Sequence, residues 1–438
     1  MTRGRKALLA VAGTLALLAA ALGGWLLAEA LDDDAGGEPA PAPQVVIREQ
    51  QQRGTGKDTE ATEDLGFPAF ATKNTTRISG SDPVADAAAV ALAVFPSTGG
   101  IDGPAAVSIV AEDDWQAGVA AAVLMAEPVR APVLVSGADE VPPLAADALA
   151  ALAPGGSGAT DDEQAFVIGD AAAPDDLRTL EVKGKGPAQA AAEVARLRRE
   201  LTGEDPEHVV LVSADEPGFA MPAASWAARS GDPVLYLERK RAPAETIDEL
   251  ERYDDATAYV LGPESAISAE TFAQVKKAAA DAKRIPADDP VQSAIAFARF
   301  ADGSFGWNIN DPGHGFVIAN ASRPMDAAAA AALSASGTWG PLLVTDESET
   351  PPEGLRGYLL DLKPGYESDP TRALYNHVWL IGNQEAISVP FQSQVDELAE
   401  VAEVSTGSGE SSIGQQGGDP EAEQPKAGGS GPGTKQGR

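Results

Sequence analysis

Three histidines, one acidic run and one glycine-rich turn are the places where this chain could do chemistry. His208, His314 and His377 lie far apart, with no pair at i, i+4. A zinc site needs at least three converging ligands, so these histidines read as surface or structural. Glu112-Asp113-Asp114 follows an apolar stretch, at the carboxyl end of an expected strand, where α/β folds bind ligands. Carboxylates placed there could hold calcium or magnesium. Later copies of the same stretch are followed by Ala214-Asp215-Glu216 and Asn320-Ala321-Ser322, so the acidic run is not a repeated device and reads as a solvated loop. Gly184-Lys185-Gly186 lies between an expected strand and helix. Gln189 stands where G-x-G-x-x-G needs its third glycine, and no G-K-[ST] follows. There is no G-x-S-x-G elbow and no cysteine, which excludes thiolate catalysis and disulfides. The expectation is a chain that is not an enzyme and takes no cofactor or metal.

Charge narrows the partners. Among 438 residues, 66 are acidic and 32 basic, a formal charge of −34. Such a surface repels nucleic acid, since binding phosphate needs clustered Lys and Arg. At the N-terminus, Arg3, Arg5 and Lys6 precede 21 uncharged residues, Ala7 to Leu27. As a helix these reach about 30 Å, the thickness of a bilayer core. Their length suits a retained anchor, while Ala28-Glu29-Ala30 suits a signal-peptide cleavage site. Both readings put the rest of the chain outside the cytoplasm. Residues 35–74 and 405–438 are rich in Gly, Pro, Gln and charge without a sustained period. They read as a disordered linker and a disordered tail.

Between these flanks four signals recur three times in the same order. The first is an extended stretch, a polar turn and a proline that opens a helix: Arg77 to Pro83, Glu181 to Pro187 and Arg284 to Pro290. Proline suits the first helical position, because the amide hydrogen it lacks has no partner there. The second is an apolar strand (Ala106–Val110, Val209–Val212, Gly315–Ala319) leading to an Ala-rich helix (117–125, 222–228, 326–333). The third is a Pro-Val-Leu type strand (Ala131–Val135, Asp232–Tyr236, Gly340–Val344), its copies 101 and 108 residues apart. The fourth is an aromatic-apolar strand ending in glycine: Phe166–Gly169, Tyr259–Gly262 and Trp379–Gly382. A tail follows in the last two copies, Glu264 to Ser268 and Glu385 to Ser388. Apolar runs without alternation fit strands covered on both faces, and strand–helix alternation predicts a parallel or mixed sheet between helix layers. Trp115, Phe219 and Trp339 beside these strands read as core caps before sugar platforms. Asn74 and Asn320 open N-x-[ST] patterns.

Taken together, residues 75–404 resemble the cell wall-binding repeat 2 family, whose repeat opens with Arg-x-x-Gly-x-Asp-Arg-x-x-Thr-Ala. Arg77, Gly80 and Asp82 match that opening, as do Arg284 and Asp289; the second arginine is Pro83, Pro187 and Pro290, and the family's Asp-Ala-Leu aspartate survives as Asp326. The resemblance implies an α/β fold of three tandem Rossmann-like or Toprim-like modules packed as a pseudo-trimer, here preceded by an N-terminal hydrophobic helix. It implies repeats at 75–178, 179–282 and 283–404 after a signal peptide or anchor over 1–34. Its function would be non-covalent attachment to cell-wall or envelope polymer, with Arg77, Asp82, Arg284, Asp289 and Asp326 as ligand-binding residues. An acidic chain meets an anionic polymer only through bridging cations. The three arginine-to-proline replacements point to the alternative, a surface scaffold for protein partners with degenerate wall-binding sites.

Overall fold

A computed structural model describes residues 70–78, 80–96, 103–336 and 340–404. The anchor or signal segment, most of the linker, the tail and Trp339 lie outside the described residues. Among those described, no helix is long and apolar enough to cross a membrane.

The strands in chain order are β1 (Phe70–Ala71), β2 (Thr75–Ile78), β3 (Val107–Ala111), β4 (Val133–Ser136), β5 (Ala165–Ile168), β6 (Thr179–Val182), β7 (His208–Ser213) and β8 (Val234–Leu237), followed by β9 (Thr257–Leu261), β10 (Asp281–Ile285), β11 (Gly315–Asn320), β12 (Leu342–Thr345), β13 (Gly365–Tyr366), β14 (His377–Ile381) and β15 (Ala402–Glu403). The helices are α1 (Pro83–Val94), α2 (Trp115–Ala121), α3 (Pro143–Leu152), α4 (Pro187–Thr202), α5 (Pro217–Ser230), α6 (Ala244–Leu250), α7 (Ala269–Ala278), α8 (Pro290–Arg299), α9 (Met325–Ala335), α10 (Glu353–Asp361) and α11 (Val389–Ala399). A 3-10 turn, Ala122–Met125, extends α2.

Three larger sheets share one strand order: β4-β3-β5-β6, β8-β7-β9-β10 and β12-β11-β14-β2, the last extended by β1. Every pairing in them is parallel except β1 with β2. The opening strand of each sequence repeat therefore does not join the strands that follow it. β6 and β10 complete the sheet before them, and β2 completes the last, with Arg77 opposite Leu380 and Ile78 opposite Ile381. Sheet one lacks a helix between its third and fourth strands, where sheet two has α7; sheet three has α11 after β14.

The core follows from these sequences. In β11, Val317 and Ala319 face a hydrophobic cluster shared with the other two sheets, while Phe316 and Ile318 face a second cluster with Leu355, Tyr358 and Phe391. A strand buried on both faces has no polar side to show, hence the unbroken apolar run. Helices α2, α5 and α9 pack on one another between the sheets. Their small side chains permit close approach: a Cβ added at Gly118 would lie 2.8 Å from Met325 Sδ and 2.9 Å from Ala328 Cβ. In α9, Ala327 to Ala332 are all buried, as expected of a helix apolar on every side.

Polar ties cross each junction between sheets. Tyr236 Oη in β8 donates to Gln116 O in α2 at 2.8 Å. Leu342 N in β12 donates to Ser225 Oγ in α5 at 3.2 Å. Arg323, after β11, donates to Asp86 in α1.

Candidate functional site

The carboxyl ends of the three sheets are the places where α/β folds bind ligands. In each, the fourth signal ends in a glycine with positive φ: Gly169 at +72°, Gly262 at +103° and Gly382 at +106°. L side chains avoid that conformation, and each glycine also backs onto a side chain from the start of a central helix. A Cβ on Gly169 would lie 3.3 Å from Asp114 Oδ2, on Gly262 3.3 Å from the Phe219 ring, and on Gly382 3.3 Å from Asp326 Oδ2. The chain fills its own crevices, with a different side chain in each.

At the third sheet that filling is ionic. Arg323 Nε meets Asp326 Oδ2 at 2.7 Å, and its Nη2 reaches both Asp326 and Asp86. Both carboxylates are fully buried. Gly80 N donates to Asp86 Oδ1 at 2.7 Å. Burial, and then the neighbouring Asp326, push the Asp86 carboxyl well above the usual range. Burial lifts Asp326 to about 6, against the pull of Arg323. Two carboxylates around one guanidinium carry one negative charge too many for a dry site, so proton uptake is favoured.

Arg77, at 2% exposure, spans the same end of the third sheet. Its Nε donates to Gln392 Oε1 at 2.9 Å, Nη1 to Gly382 O at 3.0 Å and Asn383 O at 3.2 Å, and Nη2 to Ser388 O at 3.3 Å. Burial lowers its pKa to about 10. Arg284 repeats the device at the second sheet: Nη1 donates to Gly262 O at 3.0 Å and Nη2 to Ile267 O at 2.8 Å. Each arginine thus holds the loop that leads to α7 or α11, whose first turns Ser268 and Ser388 cap. In sheet one no such helix exists, and the position opposite Val167 is the exposed Glu181. The arginine is present where there is a loop to hold.

The other expected site residues take local roles. Asp82 caps α1 by accepting from Ala85 N at 2.9 Å, and Asp289 caps α8 by accepting from Gln292 N at 2.8 Å. Asp114 caps α2 likewise, while Glu112 and Asp113 are exposed. Asn74 and Asn320, the two sequon asparagines, are buried. Neither Asp86 nor Arg323 stood out in the sequence. The available signal was a carboxylate inside the apolar run Val84 to Ala91.

An open depression lies at the carboxyl end of the second sheet. It encloses about 780 Å³ between Pro263, Glu264, Arg284, Asp288, Gln292 and Arg299. Arg284 lies over the Phe272 ring at 4.9 Å, and Arg299 pairs with Asp361 at 2.7 Å. The arrangement places guanidinium groups, an amide and carboxylates side by side. Among the described residues, no group of three or more His, Asp or Glu is placed to hold a metal.

No protein-family model matches the chain, and no curated protein matches it. Eight chains among the solved structures match it, two of them as follows. Cwp6 from Clostridium difficile aligns with TM-score 0.61 and 17% identity, over 77% of this chain and 51% of that one. Cwp8 from the same organism aligns with TM-score 0.57 and 17% identity, over 75% and 52%. This chain spans about half the length of either, and at such identity the likeness is one of fold.

Proposed function

We propose that residues 75–404 are an extracytoplasmic unit that binds cell-envelope polymer by non-covalent contact, without catalysis at the binding surface, built as three Rossmann-like modules closed into a pseudo-trimer. Residues 7–27 hold it at the membrane or direct its export. The observation that carries this reading is the closure of the third sheet by β2, which makes three sheets of one strand order a single body. The motif order of the repeats and the fold shared with Cwp6 and Cwp8 support it. In this reading Arg77, Arg284, Asp82, Asp289 and Asp326 shape the scaffold, and the depression beside Arg284 is the surface offered to polymer. With a charge of −34, an anionic polymer is engaged through bridging cations.

The test is co-sedimentation of the purified protein with isolated cell walls, with and without calcium. Sedimentation is expected with calcium and should fall when chelator is added. Absence from the pellet in both conditions refutes wall binding.

A second reading is a surface scaffold for protein partners. It is favoured by the use of Arg77 and Arg284 on the chain's own carbonyls. Recovery of a defined envelope protein by a chain that ignores cell walls would select it.

A further inference from the structure

A different chemistry sits at the opposite, amino end of the second sheet. His208 is the first residue of β7, and Asp232 lies just before β8. His208 Nδ1 is 3.5 Å from Asp232 Oδ2, and His208 Nε2 is 3.5 Å from Ser304 Oγ. The serine comes from another part of the chain, the turn between Asp302 and Phe305 that follows α8. Phe305 anchors that turn: it is fully buried, stacks on Tyr259 with centroids 3.6 Å apart, and lies 5.4 Å from the His208 ring. Asp232 is buried, and Trp226 Nε1 fixes it by donating to Oδ2 at 2.7 Å. Ser304 itself is exposed. The three groups border a cavity of about 650 Å³ whose walls include Arg198, Arg199, Thr202, Glu204 and Ser230.

Nucleophile, base and orienting carboxylate are thus in series, each on the atom its role requires. The spacings are longer than in a working complex, as is usual before substrate binds. We propose that Ser304, His208 and Asp232 form an esterase site acting on carboxylic esters of polyhydroxylated alcohols. The polar, partly cationic walls suit such an alcohol. Ser304 Oγ attacks the ester carbonyl carbon while its proton passes to His208 Nε2. The carbon–oxygen bond to the alcohol breaks, and the alcohol leaves with that proton. Water then hydrolyses the acyl-serine, giving its proton through Nε2 and releasing the carboxylic acid. Asp232 acts as a positioning residue, keeping the Nδ1 proton directed away from the serine. Glu207, whose Oε2 accepts from Ser304 at 3.3 Å, competes for the hydroxyl in the resting state.

This activity is separate from wall binding and is read separately. The full-length protein is treated with a fluorophosphonate probe, and acetate release from glycerol triacetate is followed in parallel. Expected are phosphonylation at Ser304 and acetate release, both abolished in S304A. H208Q should slow labelling by about 100-fold, the usual contribution of a general base. The charged and titratable groups facing His208 are Asp232, Glu207, Asp302 and Tyr259, with Arg198 and Arg199 across the cavity. Its pKa is raised, chiefly by the hydrogen bond to Asp232. Labelling should therefore increase with pH through a midpoint above that of a free imidazole, and D232N should move the midpoint down. Labelling of wild type no faster than S304A, an unchanged rate in H208Q, or a pH profile that D232N leaves in place overturns the proposal.

Discussion

The carboxyl ends of the second and third sheets carry the same arginine at the same register, Arg284 opposite Val260 and Arg77 opposite Leu380. In the third sheet the arginine is buried beneath its loop and makes four hydrogen bonds. In the second it makes two to the loop carbonyls, is half-buried and walls an open depression. The difference tracks the neighbouring filler. Phe219 closes the second crevice with an apolar ring and needs no partner. Asp326 and Asp86 close the third with charge and need Arg323. Identical strand chemistry therefore leaves one end sealed and the other accessible.

The largest expected effect tests that contrast directly. Arg77→Ala leaves several buried carbonyls without donors and should cost about 3–5 kcal/mol in urea denaturation. Arg284→Ala should cost about 1–2 kcal/mol, since the half-buried side chain makes two such bonds where Arg77 makes four. Equal losses would mean the two ends are not differently buried. Arg323→Met strands two buried carboxylates and should cost about 3–5 kcal/mol at pH 7. That cost should shrink on acidification. The Asp326 pKa, about 6 when folded, is raised above that of a free aspartate, so its stabilising contribution is full below the unfolded value and is lost as pH rises through 6. Asp86 shifts in the same direction. A stability curve for wild type that falls between pH 7 and 5 would remove the ion triad from the argument. Smaller effects concern the helix starts: Asp82→Ala and Asp289→Ala should each cost about 1 kcal/mol. Smallest is Glu181→Ala in the first sheet, within about 0.5 kcal/mol, because no loop depends on it.

Much of this fold was legible in the residues. Val209 to Val212 and Leu342 to Val344 announced buried strands by lacking any polar alternation, and Pro83, Pro187 and Pro290 marked helix starts that the structure places at those residues. The Glu-Ser-Ala-Ile-Ser and Glu-Ala-Ile-Ser tails were visible as a shared feature of the last two copies, and the structure shows what they do: each ends in the serine that caps the following helix. Strand partnership was not legible. β6 and β10 carry no residue that names their neighbour, and the sequence repeat is offset by one strand from the sheet it helps to build. The site residues were legible by type, and the structure adds the contacts each one makes. An arginine followed by a polar turn looks alike whether it faces a ligand or pins a loop, and only burial distinguishes the two. Ser304 was invisible, since its turn belongs to an insertion before β11 and meets His208 only through tertiary packing.

At the seam between β2 and β14, the hydrogen bond of Thr76 Oγ1 with His377 Nε2 joins residues 301 apart in sequence. In the proposed export, β2 reaches the outer side of the membrane early, yet its docking groove exists only once β14 has followed it. The first two sheets can assemble while the chain is still crossing, whereas the last must wait. Contacts so remote in sequence are slow to form, and until then the third sheet keeps a raw edge open to other chains. Timing, more than affinity, then decides whether a nascent molecule seals upon itself or sticks to its neighbours.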